Sequence, residues 1–138
     1  MRNFLTIILF GIALCAWGKP YAFDSNNDGK EDKWYEYANG NISLEKSDMN
    51  FDGEVDYLAR FDIKGRREYE EMDSNYDGIM DNWYYFANGI LETQKIDSNF
   101  DEKIDIWIYL AADGYRVKKF ERDTDFDGVV DKVKVYGE

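Results

Sequence analysis

Asp73-Ser74-Asn75-Tyr76-Asp77-Gly78-Ile79-Met80-Asp81, followed by Asn82-Trp83-Tyr84-Tyr85-Phe86-Ala87-Asn88-Gly89, reads as three pieces in succession. The first alternates Asp and Asn with other residues and carries a glycine at its sixth position, a composition suited to a tightly turning polar loop. Trp83-Tyr84-Tyr85-Phe86 is an aromatic run of the kind that packs on a pleated, half-buried surface. Asn88-Gly89 then supplies two residues that tolerate positive φ in succession, the strongest short signal for a type I′ hairpin turn. The segment therefore predicts loop, strand and turn, with a second strand returning.

Working outward, the same order recurs along the chain. The nine-residue loop appears at 24–32, 48–56, 73–81, 97–105 and 123–131, its opening aspartates 24, 25, 24 and 26 residues apart. Trp34-Tyr35 and Tyr37, Leu58 and Phe61, Ile106 to Leu110, and Val133, Val135 and Tyr136 follow the other four loops. Asn39-Gly40 repeats the turn, and Lys64-Gly65 and Asp113-Gly114 stand at the same place with one extra residue before them. The returning strands are more polar: Ile42 and Leu44 alternate with Ser43 and Glu45, and Arg67 and Tyr69 with Glu68 and Glu70. Self-similarity at a fixed period marks a repeat architecture. The expected fold is all-β, five tandem units of Asp-rich loop plus β-hairpin, laid out as an elongated antiparallel solenoid or meander. A helical reading has little room, since only eight or nine residues separate each turn glycine from the next loop and Asn-Gly would interrupt a leaving helix.

The ends and the composition narrow the class. Phe4 to Trp17 is an almost unbroken apolar run after Arg2, too short to span a bilayer comfortably, with small residues near Gly18 for cleavage. Residues 1–18 read as a secretion signal, and 19–138 as the mature domain, secreted, periplasmic or on the cell surface. An uncleaved N-terminal anchor is the alternative, as is a lipid anchor at Cys15, where Leu14 fits the lipidation pattern poorly. The chain has 29 acidic and 17 basic residues, a net charge of −12, which argues against nucleic acid and anionic membrane partners and favours cations. With no His and one Cys, a zinc site of the usual nitrogen and sulfur type lacks ligands.

The loops carry the chemistry. Positions 1, 3, 5 and 9 hold Asp24, Asn26, Asp28 and Asp32; Asp48, Asn50, Asp52 and Asp56; Asp73, Asn75, Asp77 and Asp81; Asp97, Asn99, Asp101 and Asp105; and Asp123, Asp125, Asp127 and Asp131. Alternate oxygen side chains on a tight turn converge on one centre, and Ca²⁺ takes six to eight such hard ligands at flexible angles. Magnesium, smaller and strictly octahedral, fits less well. Turn formation alone explains Asp-Gly pairs but not aspartate at positions 1, 5 and 9 of all five loops. Up to five Ca²⁺ ions are expected. The usual closing Glu at position 12 is replaced by Tyr35, Ala59, Tyr84, Ile108 and Lys134, which places affinity near about 10⁻⁴–10⁻³ M. Glu102 stands where the other loops have glycine, so the fourth site should be weakest; Asp125 adds a carboxylate to the fifth.

These loops resemble the Asp-rich, EF-hand-like calcium loops of thrombospondin type 3 repeats and FG-GAP-type repeats, and with W-x-x-Y and N-G they look most like tandem repeats of bacterial envelope and secreted proteins. The resemblance covers 24–136 and implies extracellular, calcium-stabilised modules used in adhesion or as spacers, without catalysis. Absent a histidine base or a nucleophile motif, an enzyme is not expected. An envelope protein or a glycan is the partner considered. Trp34, Trp83 and Trp107, at equivalent places in three units, give the alternative of a carbohydrate- or protein-binding module, set against their burial in a core.

Overall fold

The computed structural model describes residues 20–137. The expected signal and Cys15 lie outside them. The protein is all-β: ten antiparallel strands form one open sheet, and the described residues contain no helix. The strands are β1 (Tyr21–Phe23), β2 (Lys33–Ala38), β3 (Asn41–Ser47), β4 (Tyr57–Phe61), β5 (Arg67–Met72), β6 (Asn82–Ala87), β7 (Ile90–Ile96), β8 (Ile106–Leu110), β9 (Val117–Arg122) and β10 (Lys132–Val135). Their spatial order is their chain order, so each pairs only with its chain neighbours. A sheet wound this way puts all hairpin turns at one end and all Asp-rich loops at the other.

The turns form for the reasons their residues suggest. Asn39 and Gly40 have φ of 52° and 82°, and Asn88 and Gly89 have 54° and 84°, as a type I′ turn requires. In the longer turns a single glycine takes positive φ, Gly65 at 76° and Gly114 at 74°. The first of these is held by Asp62, whose Oδ1 accepts the Lys64 and Arg66 N–H groups at 2.8 and 2.9 Å. Its other oxygen accepts Arg66 Nε at 2.7 Å.

Register sorts the side chains into two faces. Trp34, Lys46, Leu58, Glu71, Trp83, Lys95, Trp107 and Glu121 form one cross-strand row. Beside it on the same face, Arg60 sits 5.5 Å from the Tyr69 ring centroid, Lys95 5.0 Å from Tyr85, and Lys119 5.1 Å from Tyr109. The opposite face carries Tyr57, Met72, Ile96, Ile106, Ile108 and Phe120. Ala59 is the sole fully buried apolar residue among those described, because no second layer covers either face. Stability therefore rests on the backbone ladder and on cross-strand pairs, each worth about 0.2–1 kcal/mol. Glu70, in one of the more polar returning strands, is only 8% exposed, beside Ala59, and accepts the Tyr57 hydroxyl and Arg67 Nη1, both at 2.8 Å.

Candidate metal centres

Each loop is built by its own carboxylates. In the second, Asp48 Oδ1 accepts the Phe51 N–H at 2.6 Å and Oδ2 the Gly53 N–H at 2.8 Å. Asn50 Oδ1 accepts the Asp52 N–H at 3.0 Å while its Nδ2 donates to Asp52 Oδ2 at 2.8 Å. Asp52 Oδ1 takes the Glu54 N–H at 2.8 Å, and Asp56 Oδ2 takes those of Met49 and Asn50 at 2.5 and 3.1 Å. The bond from the position 6 N–H to the position 1 carboxylate recurs in all five loops at 2.7–2.8 Å. So does that from the position 2 N–H to the position 9 carboxylate, at 2.5–3.0 Å. Ser98 and Thr124 add hydroxyl bonds to Asp105 and Asp131 at 2.9 and 2.8 Å.

Two backbone residues in each loop take positive φ. Position 6 is the anticipated glycine, and Glu102 adopts it without being one, at φ 68°, while its N–H still reaches Asp97 Oδ2 at 2.7 Å. Position 4 was not anticipated: Asn27, Phe51, Tyr76, Phe100 and Phe126 all lie at φ 61–67°. The sequence signal was Asn27, the one residue there that favours the left-handed region; four aromatics masked it.

The loops also lock to one another. Within a loop the position 9 N–H bonds the carbonyl of the residue preceding the loop, as in Asp56 to Ser47 at 2.9 Å. Between loops, the N–H groups of Asp48, Asp73, Asp97 and Asp123 donate to the carbonyls of Asp32, Asp56, Asp81 and Asp105 at 2.8–2.9 Å. Those eight aspartates are 1–4% exposed and form a continuous row along one end of the sheet. The position 5 carboxylates, Asp28, Asp52, Asp77, Asp101 and Asp127, stay exposed.

The fifth loop brings three carboxylates together. Ligand oxygens of Asp123, Asp125 and Asp131 lie within 4.8 Å of one another, so positions 1, 3 and 9 meet there and position 5 stands outside the group. Repulsion from Asp127, then burial, pushes the Asp125 carboxyl above its ordinary value. The Thr124 hydroxyl and backbone N–H hold Asp131 below its own. In the first three loops Asn26, Asn50 and Asn75 replace the position 3 carboxylate and donate to position 5 at 3.1, 2.8 and 2.8 Å. One buried oxygen there lacks any partner, Asp32 Oδ1 in the first loop. Position 12 residues Tyr35, Ala59, Tyr84, Ile108 and Lys134 share one cross-strand row within the sheet and bring no carboxylate to the loops. Trp34, Trp83 and Trp107 lie in the opposite face's row, partly covered. Among the described residues no helix is long and apolar enough to cross a membrane.

No family model matches the chain, and neither a curated protein nor a solved structure resembles it significantly.

Proposed function

We propose that this is a non-catalytic, exported module of the cell envelope whose five Asp-rich loops bind structural Ca²⁺, the loop-and-hairpin units repeating as a calcium-stabilised solenoid. The observation that carries the reading is the row of eight aspartates at 1–4% exposure along one end of the sheet. Backbone N–H groups donate hydrogen bonds to these carboxylates, yet they add dipoles and no counter-charge. Hard divalent cations supply it. The unpartnered Asp32 Oδ1 and the carboxylate trio of the fifth loop are the natural places to start.

Magnitude assigns the ion a structural part. At about 1 mM Ca²⁺ and a dissociation constant of about 0.1 mM, each site stabilises the folded state by about 1.4 kcal/mol. A few such sites match a large share of the stability of a small domain, about 5–15 kcal/mol. In a sheet with no second layer, that share weighs heavily. Calorimetric melting with and without EGTA tests the reading: calcium should raise the melting temperature, and an unchanged one defeats it. A second reading, a carbohydrate- or protein-binding surface, draws on the alignment of Trp83, Lys95 and Trp107 in one cross-strand row. A glycan array without calcium-dependent signal would remove it.

A further inference from the structure

Among the described residues β1 and β10 each have a neighbouring strand on one side only, and each presents half of a junction that the sheet completes four times internally. Wherever a strand leaving one loop pairs with the strand entering the next, the register is the same. The first residue after one loop faces the last residue before the next: Lys33 with Ser47, Tyr57 with Met72, Asn82 with Ile96, Ile106 with Arg122. Each of these junctions is closed by the N–H of the next loop's first aspartate, donated to the carbonyl of the previous loop's ninth.

Two members of this series are left over. Among the described residues no loop stands before the one that Asp24 opens and none after the one that Asp131 ends. The burial record marks the gap. The eight internal aspartates at these positions are 1–4% exposed, whereas Asp24 is half-buried and Asp131 exposed. The flanking edge strands are correspondingly bare: Tyr21 and Phe23 of β1 are 57% and 44% exposed, and Val133 and Val135 of β10 55% and 70%.

We propose that the partner for each edge is a second copy of this chain, added head to tail, with β10 of one copy pairing with β1 of the next. The direction is right, because β10 runs antiparallel to β1 in a ten-stranded alternating sheet, so a translated copy continues the alternation. The internal register then fixes the contacts. Lys132 faces Phe23, Val133 faces Ala22 and Lys134 faces Tyr21, while the Asp24 N–H meets the Asp131 carbonyl. The side chains match: two lysine–aromatic pairs on one face and an apolar pair on the other, both favourable across antiparallel strands. Lys134 already lies 4.7 Å from an aromatic centroid, that of Tyr136. Exposed lysines on an edge strand commonly block edge pairing; here the facing edge offers aromatic rings instead of like charge. Such a contact is heterologous and does not close, so it generates a linear series.

The test uses the mature chain, residues 19–138, which contains no cysteine. Sedimentation velocity over rising concentration should show monomer giving way to dimer, trimer and longer species. Ala22→Cys with Val133→Cys in one chain should cross-link into a ladder under mild oxidation. Tyr21→Lys with Phe23→Lys should weaken association by about tenfold, since both lysine–aromatic pairs become like-charged. Adding Lys132→Glu and Lys134→Glu to that variant should restore it. Circular dichroism and melting temperature of each variant show whether the fold is kept. A monomer at all concentrations, assembly that stops at a dimer, or assembly indifferent to the lysine substitutions with the fold intact overturns the proposal.

Discussion

Replacing Glu102 by glycine should make the protein more stable, and the size of the gain follows from one dihedral angle. Glu102 holds φ 68° at the loop position where Gly29, Gly53, Gly78 and Gly128 hold 87–101°. A side chain in the left-handed region costs about 1–2 kcal/mol relative to glycine. Glycine returns part of that gain, because it frees the unfolded chain by about 0.4–1 kcal/mol. Glu102→Gly should therefore stabilise by about 0.5–1 kcal/mol, a rise of about 2–5 °C in melting temperature for a domain of this size. The reciprocal change is Gly53→Ala, where φ is 101° and an added Cβ meets nothing within 4 Å. No clash intervenes, so the loss there reports backbone strain alone and should be about 1 kcal/mol or more. Thermal melting in EGTA, followed by circular dichroism, measures both without contribution from metal. If Glu102→Gly lowers the melting temperature, or Gly53→Ala leaves it unchanged, the assignment of strain to position 6 is wrong. Repeating the melts in calcium should show a larger gain for Glu102→Gly, since the fourth loop would then bind more tightly.

Other consequences concern single side chains. Tyr57→Phe removes the 2.8 Å bond to the buried Glu70 carboxylate and should cost about 1–3 kcal/mol in urea denaturation. No loss would mean that Arg67 alone satisfies Glu70. Asp125→Asn converts the fifth loop to the pattern of the other four: it should stabilise the metal-free protein by relieving repulsion from Asp127 and reduce the calcium-induced melting shift. An unchanged calcium shift would exclude Asp125 as a ligand. Acid sensitivity follows from Asp131, held down by Thr124, Asp62, held down by Arg66, and Asp52, held down by the Glu54 N–H. A carboxyl lowered on folding contributes stability above its unfolded value, about 3.9. That contribution is lost as pH falls through the lower folded value. Metal-free protein should thus hold its stability above pH about 5 and lose it progressively below about 4. An opposite slope, with stability rising as acid is added through that window, would contradict the hydrogen-bond assignments.

Much of the fold was legible because its signals are local. Asn39-Gly40 and Asn88-Gly89 have few conformations other than a tight turn, and Trp83 to Phe86 has no helical periodicity to compete with strand. The loops were legible as units for the same reason, since aspartate and glycine there act on their own backbone. What was not legible is of two kinds: local bonds that override a side chain's own preference, and contacts between separate strands or loops. The left-handed backbone at Phe51 and Tyr76 is imposed by the Asp48 and Asp73 carboxylates that accept their N–H groups, at 2.6 and 2.7 Å, against the preference of the side chain. Glu70 is buried by its place between Ala59 and Tyr84 in the sheet, which alternation within one strand does not reveal. The near-total covering of Asp56 and Asp73, each 1% exposed, arises only when adjacent loops bond together. In the fifth loop the aspartates at positions 1, 3 and 9 meet while Asp127 stands outside the group, its Oδ1 accepting the Val129 N–H at 2.8 Å.

The claim on which the functional account depends is that the carboxylate row holds divalent cations. Titration of the metal-free mature chain with calcium in a calorimeter measures this directly. The account predicts saturable heat with a stoichiometry above one and up to five ions per chain, affinity near about 10⁻⁴–10⁻³ M, and little response to magnesium over the same range. Absence of bound calcium at millimolar concentration, confirmed by metal analysis of the dialysed protein, would show that backbone N–H groups alone sustain the buried aspartates and would contradict it.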